Sequence, residues 1–151
     1  MALLKPIAES ISWGPDGHVR SISLVGDHIN EMHVSALDSL TQLEELKLMC
    51  SISDTSLRGI ASLPNLQALD IQFTPVTDAG IQYLTQAPSL TLVVLTGTSL
   101  TDNGLSSLAK TRSLRRVFAE KTKITAAGVA RFRELRPDCT IQHDNGLIGA
   151  E

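Results

Sequence analysis

A chain of 151 residues with 42% apolar and 19% charged side chains is long enough for one domain with a continuous core, and too evenly mixed for a membrane-embedded or disordered protein. Aromatic residues make up only 3%, so Leu, Ile, Val and Ala must fill that core, which suits thin repeated layers better than one large centre. The net charge of −3 conceals an asymmetry: residues 1–109 carry eleven acidic and four basic side chains, a balance of −7, whereas residues 110–136 carry nine basic and two acidic ones, a balance of +7.

Residues 1–18 read as an N-terminal cap. The start, Met1 to Ile7, lacks the charged opening and apolar stretch of a secretory signal. No window approaches the roughly 18–20 apolar residues that a membrane span needs. A cytoplasmic location without membrane contact is the expectation. Ile11-Ser12-Trp13 followed by Gly14-Pro15-Asp16-Gly17 predicts a strand and a tight turn into Val19. Such a hairpin covers the open end of the core, with the lone Trp13 expected as its plug.

From Val19 onward a pattern of the type Leu-x-x-Leu-x-Leu recurs. It runs through Val19, Ile22 and Leu24; Leu43, Leu46 and Leu48; Leu66, Leu69 and Ile71; Leu90, Val93 and Leu95; and Leu114, Val117 and Ala119. The first positions lie 24, 23, 24 and 24 residues apart, which is the signature of a repeat architecture. Five repeats and a terminal strand account for residues 19–141, and residues 142–151 are expected to form a loose tail.

Each strand is followed by a turn and a helix start. Hydroxyl and carboxyl residues at Ser53-Asp54, Thr77-Asp78, Thr101-Asp102 and Thr125 suit the free amides and the dipole of a first turn. Helical spacing then takes over, with Leu57, Ile60 and Leu63; Ile81, Leu84 and Ala87; Leu105 and Leu108; and Val129, Phe132 and Leu135 as one inward stripe. Pro64 and Pro88 end their helices. Gly80, Gly104 and Gly128 share one column, where a residue without bulk lets the helix start approach the neighbouring coil. One such unit cannot bury its apolar side alone, so the coils must stack.

These residues resemble a known family. The strand pattern followed by Thr-x-Ile/Val/Leu-Thr-Asp-x-Gly-Ile/Leu is similar to the leucine-rich repeats of many bacterial proteins, planctomycete ones among them, and of eukaryotic F-box proteins. The ending Arg136-Pro137-Asp138-Cys139-Thr140-Ile141 and the opening Asp16-Gly17-His18-Val19-Arg20 are similar to the bacterial group. The resemblance implies an α/β right-handed solenoid, a horseshoe with a parallel sheet on the concave side and short helices on the convex side. It also implies binding to other macromolecules through the concave face. The chain departs from the pattern at Asn30-Glu31-Met32-His33 in the first repeat and at Ala126 in the last, and no F-box is expected ahead of Val19.

Because strand side chains alternate, the residues between the core leucines point outward. Across the strands one column reads Ser21, Glu45, Ala68, Leu92 and Arg116, and the next Ser23, Lys47, Asp70, Val94 and Phe118. A third reads Val25, Met49, Gln72, Thr96 and Glu120, beside Gly26, Cys50, Phe73, Gly97 and Lys121. Leu92, Val94 and Phe118 form an exposed apolar cluster with Phe73 and Met49 toward the rim, ringed by charge. The candidate partner-binding residues on this face are therefore Glu45, Lys47, Met49, Asp70, Gln72, Phe73, Leu92, Val94, Thr96, Arg116, Phe118 and Glu120. The alternative site is the basic end, with Arg115, Arg116, Lys121 and Lys123 on the last strand and turn and Arg131, Arg133 and Arg136 on its helix.

Nothing in the sequence points to catalysis, a metal or a cofactor. Nucleotide-loop, dinucleotide and zinc-protease motifs do not occur. Ser107-Leu108-Ala109-Lys110 matches a Ser-x-x-Lys hydrolase pattern but sits on an ordinary repeat helix without its partner motifs. His18, His28, His33 and His143 are scattered. Cys50 and Cys139 lie four strand steps apart, about 19 Å, too far for a disulfide. The reading is a non-enzymatic module for binding another protein, with nucleic acid disfavoured by the acidic balance. The alternatives are a structural subunit, a monomer or weak head-to-tail self-associate joined through its oppositely charged ends, and an enzyme whose site the motifs miss.

Overall fold

The apolar residues that recur about every two dozen positions stand beside one another in space. In the computed structural model, which describes residues 1, 4–144 and 146–148, Ile22, Leu46, Leu69, Val93, Val117 and Ile141 are successive register partners in one ladder. The ladder runs through six parallel strands: β2 (Val19–Val25), β3 (Glu45–Met49), β4 (Ala68–Asp70), β5 (Leu92–Val94), β6 (Arg116–Phe118) and β7 (Thr140–His143). Antiparallel strands β1 (Ser10–Trp13) and β8 (Gly146–Ile148) close its two edges.

Between strands the chain returns through α1 (Glu31–Ser35) with a 3-10 turn at Ala36–Ser39, then α2 (Ser56–Ala61), α3 (Asp78–Leu84), α4 (Asp102–Leu108) and α5 (Ala126–Leu135). Hydrogen-bonded strands sit about 4.8 Å apart, whereas packed helices need about 8–10 Å. The coils therefore fan out on the helix side and the sheet becomes the inner, concave face. Leu57, Ile60, Ile81, Leu84, Leu105, Leu108, Val129 and Phe132 are buried against the ladder. Thr74 and Thr98 are buried as well, because their hydroxyls donate to the carbonyls of Ile71 and Leu95 at 2.7 Å.

On the helix side the coils are pinned by a second, polar ladder. Thr77, Thr101 and Thr125 cap α3, α4 and α5, accepting from the amides of Ala79, Asn103 and Gly128. Each threonine also donates to the aspartate of the preceding coil. The Asp54 carboxylate accepts the Thr77 N–H at 2.8 Å and its hydroxyl at 2.6 Å. Asp78 holds Thr101 at 2.8 and 2.5 Å, and Asp102 holds Thr125 at 2.8 and 2.7 Å. The glycine column follows from this. A Cβ at Gly80, Gly104 or Gly128 would collide with the carboxylate of Asp54, Asp78 or Asp102.

The two sequence departures fit the same ladder. In the first repeat Glu31 takes the aspartate's place, and its longer side chain reaches past Ser56, accepting from the Ser53 amide at 2.9 Å and the Ser56 hydroxyl at 2.6 Å. Burial raises the Glu31 carboxyl, but the hydrogen bonds from Ser56 and Ser53 outweigh it and hold the group below its ordinary value. Asn30 caps α1 and His33 Nδ1 accepts the Asn30 amide in return. In the last repeat Ala126 carries no carboxylate, and the chain runs on from α5 to β7 and β8 without another capping threonine.

Several expectations are corrected at the ends. Trp13 is not the plug; it is 47% exposed, with Lys5 Nζ 5.3 Å from its ring centroid. The register shift between Ser12 and Trp13 turns it off the core face, and Leu4, fully buried in the turn over 4–7, fills the end instead. Leu135 is 56% exposed rather than inward. Helix α5 is three residues longer than α4, and Arg136, not Leu135, turns inward at its end. Residues 142–148 are not a loose tail where they are described. Gln142 and His143 belong to β7, β8 pairs antiparallel with it, and Asp144 accepts the Lys121 amide at 2.9 Å. That hairpin covers an edge that β7 would otherwise leave open. Residues 145 and 149–151 lie outside the described residues. Cys50 and Cys139 are both free, as their spacing along the repeats leads one to expect, and both are buried, which pushes their thiols up to about 11.

Arg136 clamps the last coil to the one before it. Its guanidinium donates to the carbonyls of Thr111 at 2.6 Å and Leu114 at 2.5 Å, and to both oxygens of Asp138 at 2.9 and 3.0 Å. The Arg136 hydrogen bond and charge, with Arg115 adding to them, hold the Asp138 carboxyl down at about 2. A depressed carboxyl stabilises the fold above its unfolded value of 3.8 and loses that contribution as pH falls toward about 2. The Asp138 side chain should therefore titrate at about 2 in a carboxyl-carbon NMR titration; a midpoint near 3.8 would show that the clamp is absent in solution.

The carboxylate–glycine contact gives a sharper test. Gly128→Ala should cost about 1–2 kcal/mol by overpacking against Asp102. In an Asp102→Ala background the same change should instead gain up to about 1 kcal/mol, the ordinary helix preference for Ala. Urea denaturation of the four proteins reads the sign, and a Gly128→Ala effect unchanged by the background would refute the contact.

Candidate partner-binding surface

The strand register places the outward residues as columns. Glu45, Ala68, Leu92 and Arg116 are successive partners, as are Lys47, Asp70, Val94 and Phe118. Within the second column Asp70, Val94 and Phe118 come together with Gln72, Thr96, Glu120 and Lys121 around a depression of about 470 Å³ on the concave face. A second depression of about 290 Å³ adjoins it, lined by Glu45, Lys47 and Leu92 with Glu9, Ser21 and Ser23. Asp70 borders both. Met49, Phe73 and Arg116 line neither.

Val94, Phe118 and Leu92 are half-buried, so the apolar floor is partly shielded by its own neighbours. The polar side chains around it are aimed. Asp70 accepts from the Gln72 amide at 3.1 Å and from Gln72 Nε2 at 3.0 Å. Glu120 accepts the Thr96 hydroxyl at 2.7 Å.

Phe73 stands out at the rim, 57% exposed. Its φ is +57°, and that of Lys121, two coils later, is +54°. Gly26 and Gly97 take the same left-handed turn at the corresponding positions, at +119° and +72°. Glycine does so freely, whereas an L side chain costs about 1 kcal/mol or more. The Phe73 ring lies over Gly97, where a Cβ would collide with it, and Lys121 Nζ sits 5.9 Å from the ring centroid. Sequence spacing identified the column but not its backbone. The signal was present in Gly26 and Gly97, two glycines where the strand gives way to a turn. Lys121, absent from the twelve candidates on this face, was missed there for the same reason.

Arg115, Arg136 and His143 take structural roles. Arg136 is buried, and Arg115 pairs with Asp138 at 3.1 Å on the surface, so part of the basic end is already matched within the chain. His143 sits in the core with its Nε2 3.1 Å from the Ile124 carbonyl; because a carbonyl only accepts, Nε2 carries the proton. Among the described residues no group of three or more His, Cys, Asp or Glu could hold a metal ion, and no helix is long and apolar enough to cross a membrane.

A family model described as Leucine Rich repeat matches residues 62–84 and 86–109. No curated protein matches the sequence significantly. Among solved structures, the fold is similar to internalin C2 from Listeria monocytogenes, with a TM-score of 0.59 and 24% identity over 80% of this chain and 49% of that one. It is also similar to leiomodin-1 actin-binding site 2, at 0.59 and 15% identity over 78% of this chain and 79% of that one. A leucine-rich-repeat protein of Leptospira interrogans gives 0.50 and 19% identity, over 79% of this chain and 34% of that one. The chain thus spans about half of the internalin chain it matches. At these identities the likeness establishes the fold, an α/β leucine-rich-repeat solenoid.

If Phe73 is a rim residue and not part of the core, Phe73→Gly should change stability by less than about 1 kcal/mol, since relief of the left-handed turn offsets the lost packing. Ile71→Ala, two residues earlier and fully buried, should cost about 2–5 kcal/mol. Thermal or urea melts compare the two, and a Phe73→Gly loss as large as the second would place Phe73 in the core.

Proposed function

We propose that this leucine-rich-repeat solenoid is a non-catalytic interaction module, cytoplasmic, that binds a partner protein through its concave sheet. Leucine-rich repeats commonly serve protein–protein interaction, and the leiomodin-1 fragment of similar fold is named for binding actin. The observation that carries the reading is the half-exposed apolar floor of Leu92, Val94 and Phe118 on the inner face, bordered by oriented polar groups and by the exposed Phe73. Apolar centres with polar rims are the anatomy of protein interfaces.

Head-to-tail association of an acidic body with a basic end is the second reading, motivated by the balance of −7 over residues 1–109 against +7 over 110–136. The pairing of Arg115 and Arg136 within the chain weakens it. Val94→Asp combined with Phe118→Lys should abolish capture of the native partner in cross-linking from the source cells, with circular dichroism and melting unchanged. Capture that survives both changes would refute the concave site. Sedimentation that shows oligomers dissolving as salt rises would support the end-to-end alternative.

A further inference from the structure

We propose that the depression over Val94 and Phe118 is a subsite for a basic side chain of the partner protein. Its aliphatic stem lies on these two residues, and its charge falls between Asp70 and Glu120. The inference rests on the concave-surface reading and specifies the chemistry of its occupant.

Both carboxylates are held by neutral donors only, Gln72 for Asp70 and Thr96 for Glu120. Among the described residues neither forms an ion pair, whereas Asp16, Glu44 and Asp138 do. The lysines on this face form no ion pair with either carboxylate among the described residues. Lys121, on the lining, has its ammonium over the Phe73 ring. Lys47, the register neighbour of Asp70, borders the adjoining depression and makes no ion pair with it. Two oriented carboxylates that form no ion pair among the described residues thus flank an apolar floor, with Lys121 and Lys47 on the neighbouring lining.

Asp70 and Glu120 lie on or just past strands two steps apart, roughly 10 Å across the sheet. A long side chain with an apolar stem and a cationic head fills such a gap; a carboxylate or a purely apolar group leaves the anions unmatched. Arginine suits the site better than lysine, because its planar head can stack on Phe118 while its donors reach a carboxylate.

The test uses the full chain, labelled with nitrogen-15 and titrated with acetyl-Gly-Val-Arg-Val-Gly-amide and with the same peptide carrying citrulline or glutamate in place of arginine. The arginine peptide should shift the amides of Val94, Thr96, Phe118 and Glu120. The citrulline peptide should bind about fivefold more weakly. The double variant Asp70→Asn, Glu120→Gln should weaken the arginine peptide by a similar factor and leave the citrulline peptide unchanged. Equal affinity for arginine and citrulline, or preference for glutamate, overturns the cationic assignment while leaving the concave surface as a site. No shift at these amides with any peptide overturns the subsite, and partner capture by the Val94→Asp, Phe118→Lys protein decides the broader reading separately.

Discussion

The fold depends on keeping one coil's helix start in contact with the next. The strand side needs little help, because a parallel ladder binds each strand to its neighbour. The helix side has only short helices of five to ten residues, below the length that holds together in water by itself. The aspartate that grips both the amide and the hydroxyl of the next threonine supplies a directed contact there. Its charge also roughly doubles the worth of an ordinary hydrogen bond. The glycine that clears space for the carboxylate completes the unit, so an aspartate of one coil and a threonine and glycine of the next act as a single device.

Much of this was legible in the sequence, and the reasons differ by level. The apolar ladder was readable because its period is fixed and its register must match for burial; Leu46, Leu69 and Val93 are partners as their spacing requires. The glycine column was readable as a close approach, but not which group approaches. Asp54, Asp78 and Asp102 follow their turns at positions that suit a helix dipole equally well, and only three-dimensional placement shows them bonded to the following coil. The ends were least legible. Trp13 and Leu135 are apolar residues near an open face, and whether such a residue turns inward depends on a register shift in β1 and on the reach of Arg136.

The inner surface shows the same division. Alternation alone placed Val94 and Phe118 outward and adjacent. The pairing of charges could not be read from columns, because Lys47 and Asp70 are neighbours in register without forming an ion pair, while Arg136 reaches back more than twenty residues to the Thr111 and Leu114 carbonyls. Side-chain length and competing acceptors decide such cases. The left-handed backbone at Phe73 and Lys121 was hidden for a related reason, since neither residue type advertises that conformation.

The aspartate device also bears on how such a chain changes length. Each aspartate bridge joins a coil only to its successor. A segment of about one period from the middle of the chain, such as the one holding Thr77, Asp78 and Gly80 or the one holding Thr101, Asp102 and Gly104, therefore carries its own threonine, carboxylate and glycine. Tandem duplication of that segment at the level of the gene inserts a coil that both neighbours already accept, and its deletion lets the flanking coils rejoin. Ala126 is the exception: a coil added after it would find no carboxylate to hold its cap. Growth by copying therefore keeps the bridge in the middle of this protein and loses it at that boundary.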